Sequence, residues 1–442
     1  MLLSFGYDKT TLQYNLPDEN LLGVLLPNET PAALTGEAEV KRALQNPIGT
    51  PRLSEIVRPG EKIAIVTSDI TRPMPTYAVL PHVAEELALA GVRDEDVTIV
   101  FALGIHREMT PEEMRKAAGE EMFSRFACLN ASKDYTHLGV SQNGTPVDIF
   151  TPVAKADRII CLGNIEYHYF AGYSGGSKAI MPGVSTHDAI QANHKRMVDE
   201  RAHAGNLDTN PVRIDIDEVG SFVHIDFIVN VVLDEHKKIR HCVAGHYIEA
   251  HRAGCRLLDK LYQVAISAKA DIVVTSPGGF PKDLNIYQAQ KALDNAKHAV
   301  RDGGVIVWLA AAGEGLGEAT FEKWMLGHEK SRDMIDHINR EFELGGHKAA
   351  AIAMVLEKCR ILFVSSLDAD LCARSIWSPL QRSTRRWKKP STRWGRMQRC
   401  SPCPMAARRC RCWRILYDWL FVSRSERHCA DRYMMSRQFK RV

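Results

Sequence analysis

Residues 158–195 read RIICLGNIEYHYFAGYSGGSKAIMPGVSTHDAIQANHK, and the order of their parts decides the fold class. The opening run, 158–162, is short and apolar, the form of a parallel strand buried on both faces. A glycine-rich turn at 172–176 follows, and functional loops of α/β proteins lie at the carboxyl ends of such strands. Paired glycines let the backbone take positive φ and come close to a bound group. His168, Lys178 and His194 stand around this turn. Lys178 has three readings: a cation for a phosphate, a primary amine for covalent attachment, or a solvated lysine on a surface turn. A P-loop is not among them, because it needs Gly before the lysine and Ser or Thr after it. Here Ser177 precedes and Ala179 follows.

The same strand-then-loop pattern recurs on the amino-terminal side. Residues 62–67 (KIAIVT) form a β-branched strand that runs into Ser68-Asp69-Ile70-Thr71-Arg72-Pro73, and a helix is predicted over 75–90. Asp, Thr and Arg at a strand exit suit an anionic ligand, with Arg72 as a fork and Thr71 as a hydroxyl donor. The plainer alternative is an Asp–Arg pair that fixes the turn. Residues 96–103 (DVTIVFAL) form the next strand, ending in Gly104-Ile105-His106-Arg107, and Thr110 with Pro111 caps the following helix. Before these strands, 1–60 read as strands and turns with a short helix at 31–44.

Downstream, two strands are expected within 215–233, then a helix over 247–269. A second βα series begins with a strand at 270–275 and Ser276-Pro277-Gly278-Gly279. It continues with a helix at 286–300, a strand at 304–310, a loop at 313–317, helices through 354 and a strand at 360–365. Gln288 and Lys291 lie three apart beside Tyr287 near a helix start, on a face that can hold a carboxylate or simply meet solvent. The expected fold is α/β: two α/β domains with mainly parallel sheets and the active site in the crevice between them. Residues 1–268 form the cofactor-carrying domain and 269–371 the domain that closes over the substrate.

Composition supports this division. A chain of 442 residues expects two or three domains. No apolar run approaches the roughly 18 residues of a membrane span, and the first residues lack a signal-peptide pattern, so a cytoplasmic protein without membrane partners is expected. Eleven cysteines without regular spacing over most of the chain fit reduced thiols. The net charge of +4 joins unlike parts: residues 372–442 hold 19 Lys and Arg against 3 Asp and Glu, a net +16, and leave the first 371 at −12. An acidic body argues against nucleic acid as the main partner. The tail also carries 5 of the 7 tryptophans and 6 of the 11 cysteines. It reads as an ending out of register with the domain, the product of a frame slip. A disordered basic tail and a metal or RNA module around Cys400, Cys403, Cys410 and Cys412 are the alternatives.

Histidines at several strand exits can act as opposed acid and base near neutral pH, and one can bind a metal through a neutral ring nitrogen. One histidine and one lysine are too few ligands for a protein-only metal site. In this respect and in five ordered motifs the chain resembles the nickel-dependent lactate racemase family. The motifs are DITRP at 69–73, GIHR at 104–107, NIEYHYFAGYSGGSK at 164–178, ANH at 192–194 and YQAQK at 287–291, within a match over roughly 5–370.

The resemblance implies a nickel-pincer nucleotide, Ni(II)-pyridinium-3,5-bisthiocarboxylate mononucleotide, joined by a thioamide to Lys178. His194 would be the protein's nickel ligand, and Asp69, Ile70, Thr71 and Arg72 would hold the nucleotide. His106 and His168 would be the two acid/base residues, and Tyr287, Gln288 and Lys291 would bind the substrate. The implied reaction is racemisation or epimerisation of a 2-hydroxy acid, lactate or a related acid. Hydroxyl deprotonation by histidine and hydride transfer to the cofactor would avoid a costly carbanion. Maturation would require nickel-cofactor biosynthetic proteins. Some family members carry a tryptophan near the substrate where this chain reads Phe342-Glu-Leu-Gly-Gly-His347-Lys348, which leaves the choice of hydroxy acid open. A zinc-dependent hydrolase using the same histidines and an inactive cofactor-binding homologue are the competing functions.

Overall fold

The computed structural model describes residues 1–28, 31–368, 371–372, 375 and 433–436. The chain divides into two units, one of Asn28–Gln263 and one of Met1–Pro27 with the described residues from Val264 onward.

In the Asn28–Gln263 unit, six strands make one sheet. Their order is Ile239–Gly245, Phe227–Leu233, Arg158–Asn164, Ile63–Ser68, Val97–Ala102 and Ala127–Asn130. All neighbours are parallel except the first two, which are antiparallel. Ile65, Val66, Ile99, Val100, Ile160 and Leu162 are fully buried, so successive residues on both faces meet packed layers, as the apolar runs require. Helices Gly36–Gln45 and Thr76–Leu89 contribute Val40, Leu44, Val79, Leu80, Val83 and Leu87 to the core on one face. Each such side chain stabilises the fold by about 1.5–3 kcal/mol.

Sheet topology places the site. From Ile63–Ser68 the chain builds outward to Val97–Ala102 and Ala127–Asn130, then returns to add Arg158–Asn164 on the other side. The order therefore reverses between Ile63–Ser68 and Arg158–Asn164, and ligands of open α/β sheets bind at the carboxyl ends beside such a reversal.

The region expected to hold two strands within 215–233 holds one, Phe227–Leu233, preceded by the helix Pro211–Glu218; its antiparallel partner is Ile239–Gly245. The capping of Pro111–Ala118 follows expectation. Thr110 Oγ1 accepts from the Glu113 N–H at 3.2 Å, and Glu113 Oε2 accepts from the Thr110 N–H at 2.9 Å.

In the other unit five parallel strands run in the order Arg360–Val364, Val300–Leu309, Ala270–Thr275, Tyr433–Ser436 and Leu21–Leu25. The helices Ile286–Ala296, Ala319–Gly327, Ser331–Arg340 and Gly346–Leu356 complete its βα series. Where one domain of 1–268 was expected, the first 27 residues belong with this unit. The hairpin Leu2–Tyr7/Thr10–Asn15 buries Leu3 and Phe5, with Leu16, in one core with Ile272, Val305, Val307, Leu309 and Val364. The Asp8 N–H also donates to Asp283 Oδ2 at 2.7 Å. Of the tail, only Cys372, Ser375 and the strand Tyr433–Ser436 are described; the expectations for Cys400, Cys403, Cys410 and Cys412 lie outside the described residues.

Candidate active site

Two adjacent strand exits meet at Asp69 and His106. Asp69, buried at the end of Ile63–Ser68, accepts from His106 Nδ1 at 2.8 Å and from Thr71 Oγ1 at 2.8 Å. Burial raises the Asp69 carboxyl, but hydrogen bonds from His106 and Thr71, with the charge of Arg72, outweigh it and hold it below the usual carboxylate range. An ionised carboxylate only accepts, so the His106 proton sits on Nδ1 and the Nε2 lone pair is the basic one. The Asp–Arg pair considered for this turn does not form: the carboxylate goes to His106 and Thr71. Thr71 and Arg72 are exposed, and Ile70 is 40% exposed. In the GIHR segment Arg107 is engaged by Glu113, with Nη1 and Nη2 donating at 2.7 and 2.6 Å.

The Lys178 loop packs against these exits. The Gly104 N–H donates to the Gly183 carbonyl at 2.9 Å. A Cβ on Gly183 would lie 2.1 Å from the Ala179 carbonyl oxygen and 2.9 Å from the Ala102 side chain. Gly175 and Gly176 take φ of 79° and 62°, which glycine adopts without a steric penalty. Asn230 Oδ1 accepts from the Gly176 N–H at 2.7 Å. Beneath the turn lies Arg213, fully buried, which donates to the carbonyls of Tyr173 and Gly175 at 3.4 and 3.3 Å and pairs with Asp217 at 2.9 Å. Asp217 also accepts from Ser177 Oγ and Arg252. Burial drives His251 well below its ordinary range, and Arg213 reinforces this. The neutral ring accepts from Arg213 and Arg252 at Nδ1 and donates from Nε2 to the Ser174 carbonyl at 2.8 Å.

This support changes Lys178 chemically. Burial, followed by the charges of Arg72 and Arg213, pushes its ammonium down to about 7, with Glu166 opposing. A lysine lowered this far carries a sizeable share of neutral, nucleophilic amine near neutral pH. Half-buried and flanked by these cations, Lys178 does not have the surroundings of a lysine on an open surface turn.

His168 and His194 share a neighbour. Phe170 meets the His168 ring edge-on at 4.5 Å and the His194 ring at 4.9 Å between centroids. His168 lies in a short ribbon, Tyr167–His168 against Gly172–Tyr173, and its Nδ1 accepts from the Ala171 N–H at 3.2 Å. His194 closes the helix His187–His194, is buried, and has Nδ1 2.9 Å from Asn193 Oδ1. Among the described residues no group of three or more His, Cys, Asp or Glu is arranged to hold a metal ion.

Tyr287, Gln288 and Lys291 stand on the helix Ile286–Ala296 of the other unit. Asn285 Oδ1 caps this helix by accepting from the Gln288 N–H at 3.0 Å. Gln288 and Lys291 are exposed. Lys348 donates to the Tyr287 carbonyl at 2.8 Å and lies 3.7 Å from the centre of its ring.

Residues 7–205 match the family model described as lactate racemase N-terminal domain, and residues 265–374 match the lactate racemase C-terminal domain. The chain belongs to the lactate racemase family. It is 36% identical over 352 residues to a lactate racemase of Thermoanaerobacterium thermosaccharolyticum, covering 78% of this chain and 81% of that one. A lactate racemase of Lactiplantibacillus plantarum is 32% identical over 382 residues, 84% of this chain and 90% of the relative. The structure resembles that of the lactate racemase apoprotein from T. thermosaccharolyticum, with a TM-score of 0.75, 33% identity and coverage of 84% and 89%. A Thermotoga maritima protein structure, 19% identical with a TM-score of 0.58 and coverage of 77% and 92%, shares the fold. The family makes the chain an isomerase.

Sequence reading missed Arg213, Asp217, Asn230 and His251, the residues beneath the turn. Each lies 38 or more positions from the group of the turn that it contacts, and no local spacing announces such a contact.

Proposed function

We propose that the chain racemises or epimerises a 2-hydroxy acid, lactate or a close relative, with a nickel-pincer nucleotide tethered to Lys178. The observation that carries this reading is the seat of Lys178, just after a glycine turn with the buried Arg213 beneath it; burial there lowers its ammonium to about 7, toward the neutral amine that covalent attachment uses. The donor set fits as well. A catalytic zinc site takes three protein ligands, whereas the described residues offer no such group; a metal at His194 would draw most of its ligands from a group that brings its own.

In this reading Lys178 holds the group covalently, Asp69, Ile70, Thr71 and Arg72 hold its nucleotide part, and His194 contributes one nitrogen. When bound, the group would supply a reversible acceptor for the substrate's α-hydrogen as hydride, and the keto acid so formed is planar and open on either face. His106 takes the hydroxyl proton at Nε2, and the Asp69 carboxylate stabilises the resulting imidazolium. His168 serves the other enantiomer. With Nδ1 accepting from the Ala171 N–H, its neutral ring carries the proton on Nε2. The two rings therefore offer unlike groups there, an acceptor on His106 and a donor on His168, as an opposed acid/base pair needs. Lys291 pairs with the substrate carboxylate, and Gln288 and Tyr287 orient the substrate. Maturation is by nickel-cofactor biosynthetic proteins. No helix among the described residues is long and apolar enough to cross a membrane.

The test is intact mass and metal content of the full chain made together with those biosynthetic proteins, followed by incubation with single enantiomers of lactate and other 2-hydroxy acids. The expected result is about one nickel per chain, an adduct on Lys178 and loss of optical purity. Zinc with an unmodified lysine would point instead to a hydrolase, and an inert holoprotein to an inactive homologue.

A further inference from the structure

Asn193 lies beside His194 and is fully buried. Its Nδ2 donates to the Val212 carbonyl at 3.1 Å and to Asp215 Oδ2 at 2.8 Å. A backbone carbonyl and a carboxylate have no proton to give, so the NH2 end of the amide must face them. The amide oxygen is thereby turned to His194, 2.9 Å from Nδ1. An amide oxygen only accepts; the imidazole must therefore place its proton on Nδ1 and its lone pair on Nε2. Asp215 is itself fixed, since its oxygens also accept from Ser141 Oγ and, at 2.6 Å, from Thr145 Oγ1. The chain of constraint runs from Thr145 and Ser141 through Asp215 and Asn193 to one ring nitrogen.

We propose that Asn193 is a positioning residue that holds His194 in the Nδ1–H tautomer, with Asp215 fixing the direction of the amide. The Nε2 lone pair is thus prepared for a metal before any metal binds. Histidine ligands commonly have their second nitrogen oriented by such a partner. Here the partner is an amide whose own orientation is dictated from behind. The metal part of this inference rests on the proposed nickel role of His194; the tautomer does not.

The test uses the full chain labelled with 15N-histidine. In protein made without the cofactor, nitrogen–proton correlation spectra at pH 7.5, with His194 assigned by its loss in His194→Gln, report which ring nitrogen is protonated. The expected result is Nδ1–H; a His194 ring protonated on Nε2 overturns the proposal. In Asn193→Ala the ring is expected to revert to the Nε2–H form that an unconstrained histidine side chain favours. The same variant, loaded with cofactor, is expected to lose nickel on gel filtration with affinity reduced about 10–100-fold. If Asn193→Ala keeps both the tautomer and the nickel, Asn193 has no positioning role. If the variant does not fold, the unsubstituted chain's tautomer still decides. If His194 shows Nδ1–H but His194→Gln retains nickel, the tautomer clamp stands and the metal assignment falls.

Discussion

His106 Nδ1 donates to Asp69 at 2.8 Å across the exits of two adjacent parallel strands. The contact fixes which nitrogen of His106 is basic. Asp69→Asn can turn an NH2 toward Nδ1 and force the proton to Nε2, where it blocks the base. Turnover is expected to fall by about 10²–10⁴-fold, with nickel and the Lys178 adduct retained. Loss of the adduct along with activity would show that Asp69 acts mainly through the nucleotide it holds rather than through His106.

Reactivity of Lys178 should follow its lowered pKa. In cofactor-free protein, labelling by a small amine-reactive ester, read by peptide mass, is expected to rise through pH 7, while ordinary lysines rise near 10.4. The sign for stability follows: the unfolded lysine binds a proton between pH 7 and 10.4 that the folded one does not. Stability therefore rises with pH across that window, and below it the buried charge costs stability. Lys178→Met should raise the melting temperature at pH 6 and abolish racemisation. A lower melting temperature would show that the amine is better accommodated than its neighbours imply.

Asp217 works in the opposite pH range. Burial raises its carboxyl, but the charges of Arg213 and Arg252, with the hydrogen bond from Ser177, hold it at about 2. The unfolded value is near 3.9, so its contribution is complete above about pH 4 and is lost as pH falls toward 2. Asp217→Asn should flatten that part of an acid-unfolding curve. At pH 7 it should cost about 3–5 kcal/mol, because two buried or half-buried guanidinium groups lose their partner.

The glycine turn is intolerant of a methyl group. In Gly176→Ala the new Cβ would lie 2.8 Å from Arg213 Nη2 and 2.9 Å from the His251 ring, at a φ of +62°. A loss of about 1–3 kcal/mol in denaturant unfolding is expected, together with incomplete loading of Lys178. Full loading and unchanged stability would mean that the arginine beneath the turn is not a fixed support.

Lys291→Ala, on an exposed helix face of the other unit, should raise KM about 10–100-fold through loss of a charge-assisted carboxylate contact, with nickel content unchanged. Unaltered KM would remove Lys291 from the substrate site.

By itself the sequence determined the βα rhythm, the strand exits and the chemistry-bearing side chains on them. Those signals are local: β-branched runs such as 62–67, a Thr-Pro cap at 110–111 and a glycine turn before Lys178 all lie within a few residues. Membership of the first 27 residues in the second unit was not legible, because it rests on Leu3, Phe5 and Leu16 sharing a core with strands some 270 positions away. The strand Ile239–Gly245 escaped notice for a related reason: it is defined by pairing with Phe227–Leu233. Only tertiary structure decided that Asp69 pairs with His106 rather than Arg72. It likewise decided that Arg213 lies under the Lys178 turn and that Asp215 and Val212 turn the Asn193 amide. Burial and proximity set a pKa or a tautomer, and both are properties of what the fold brings near.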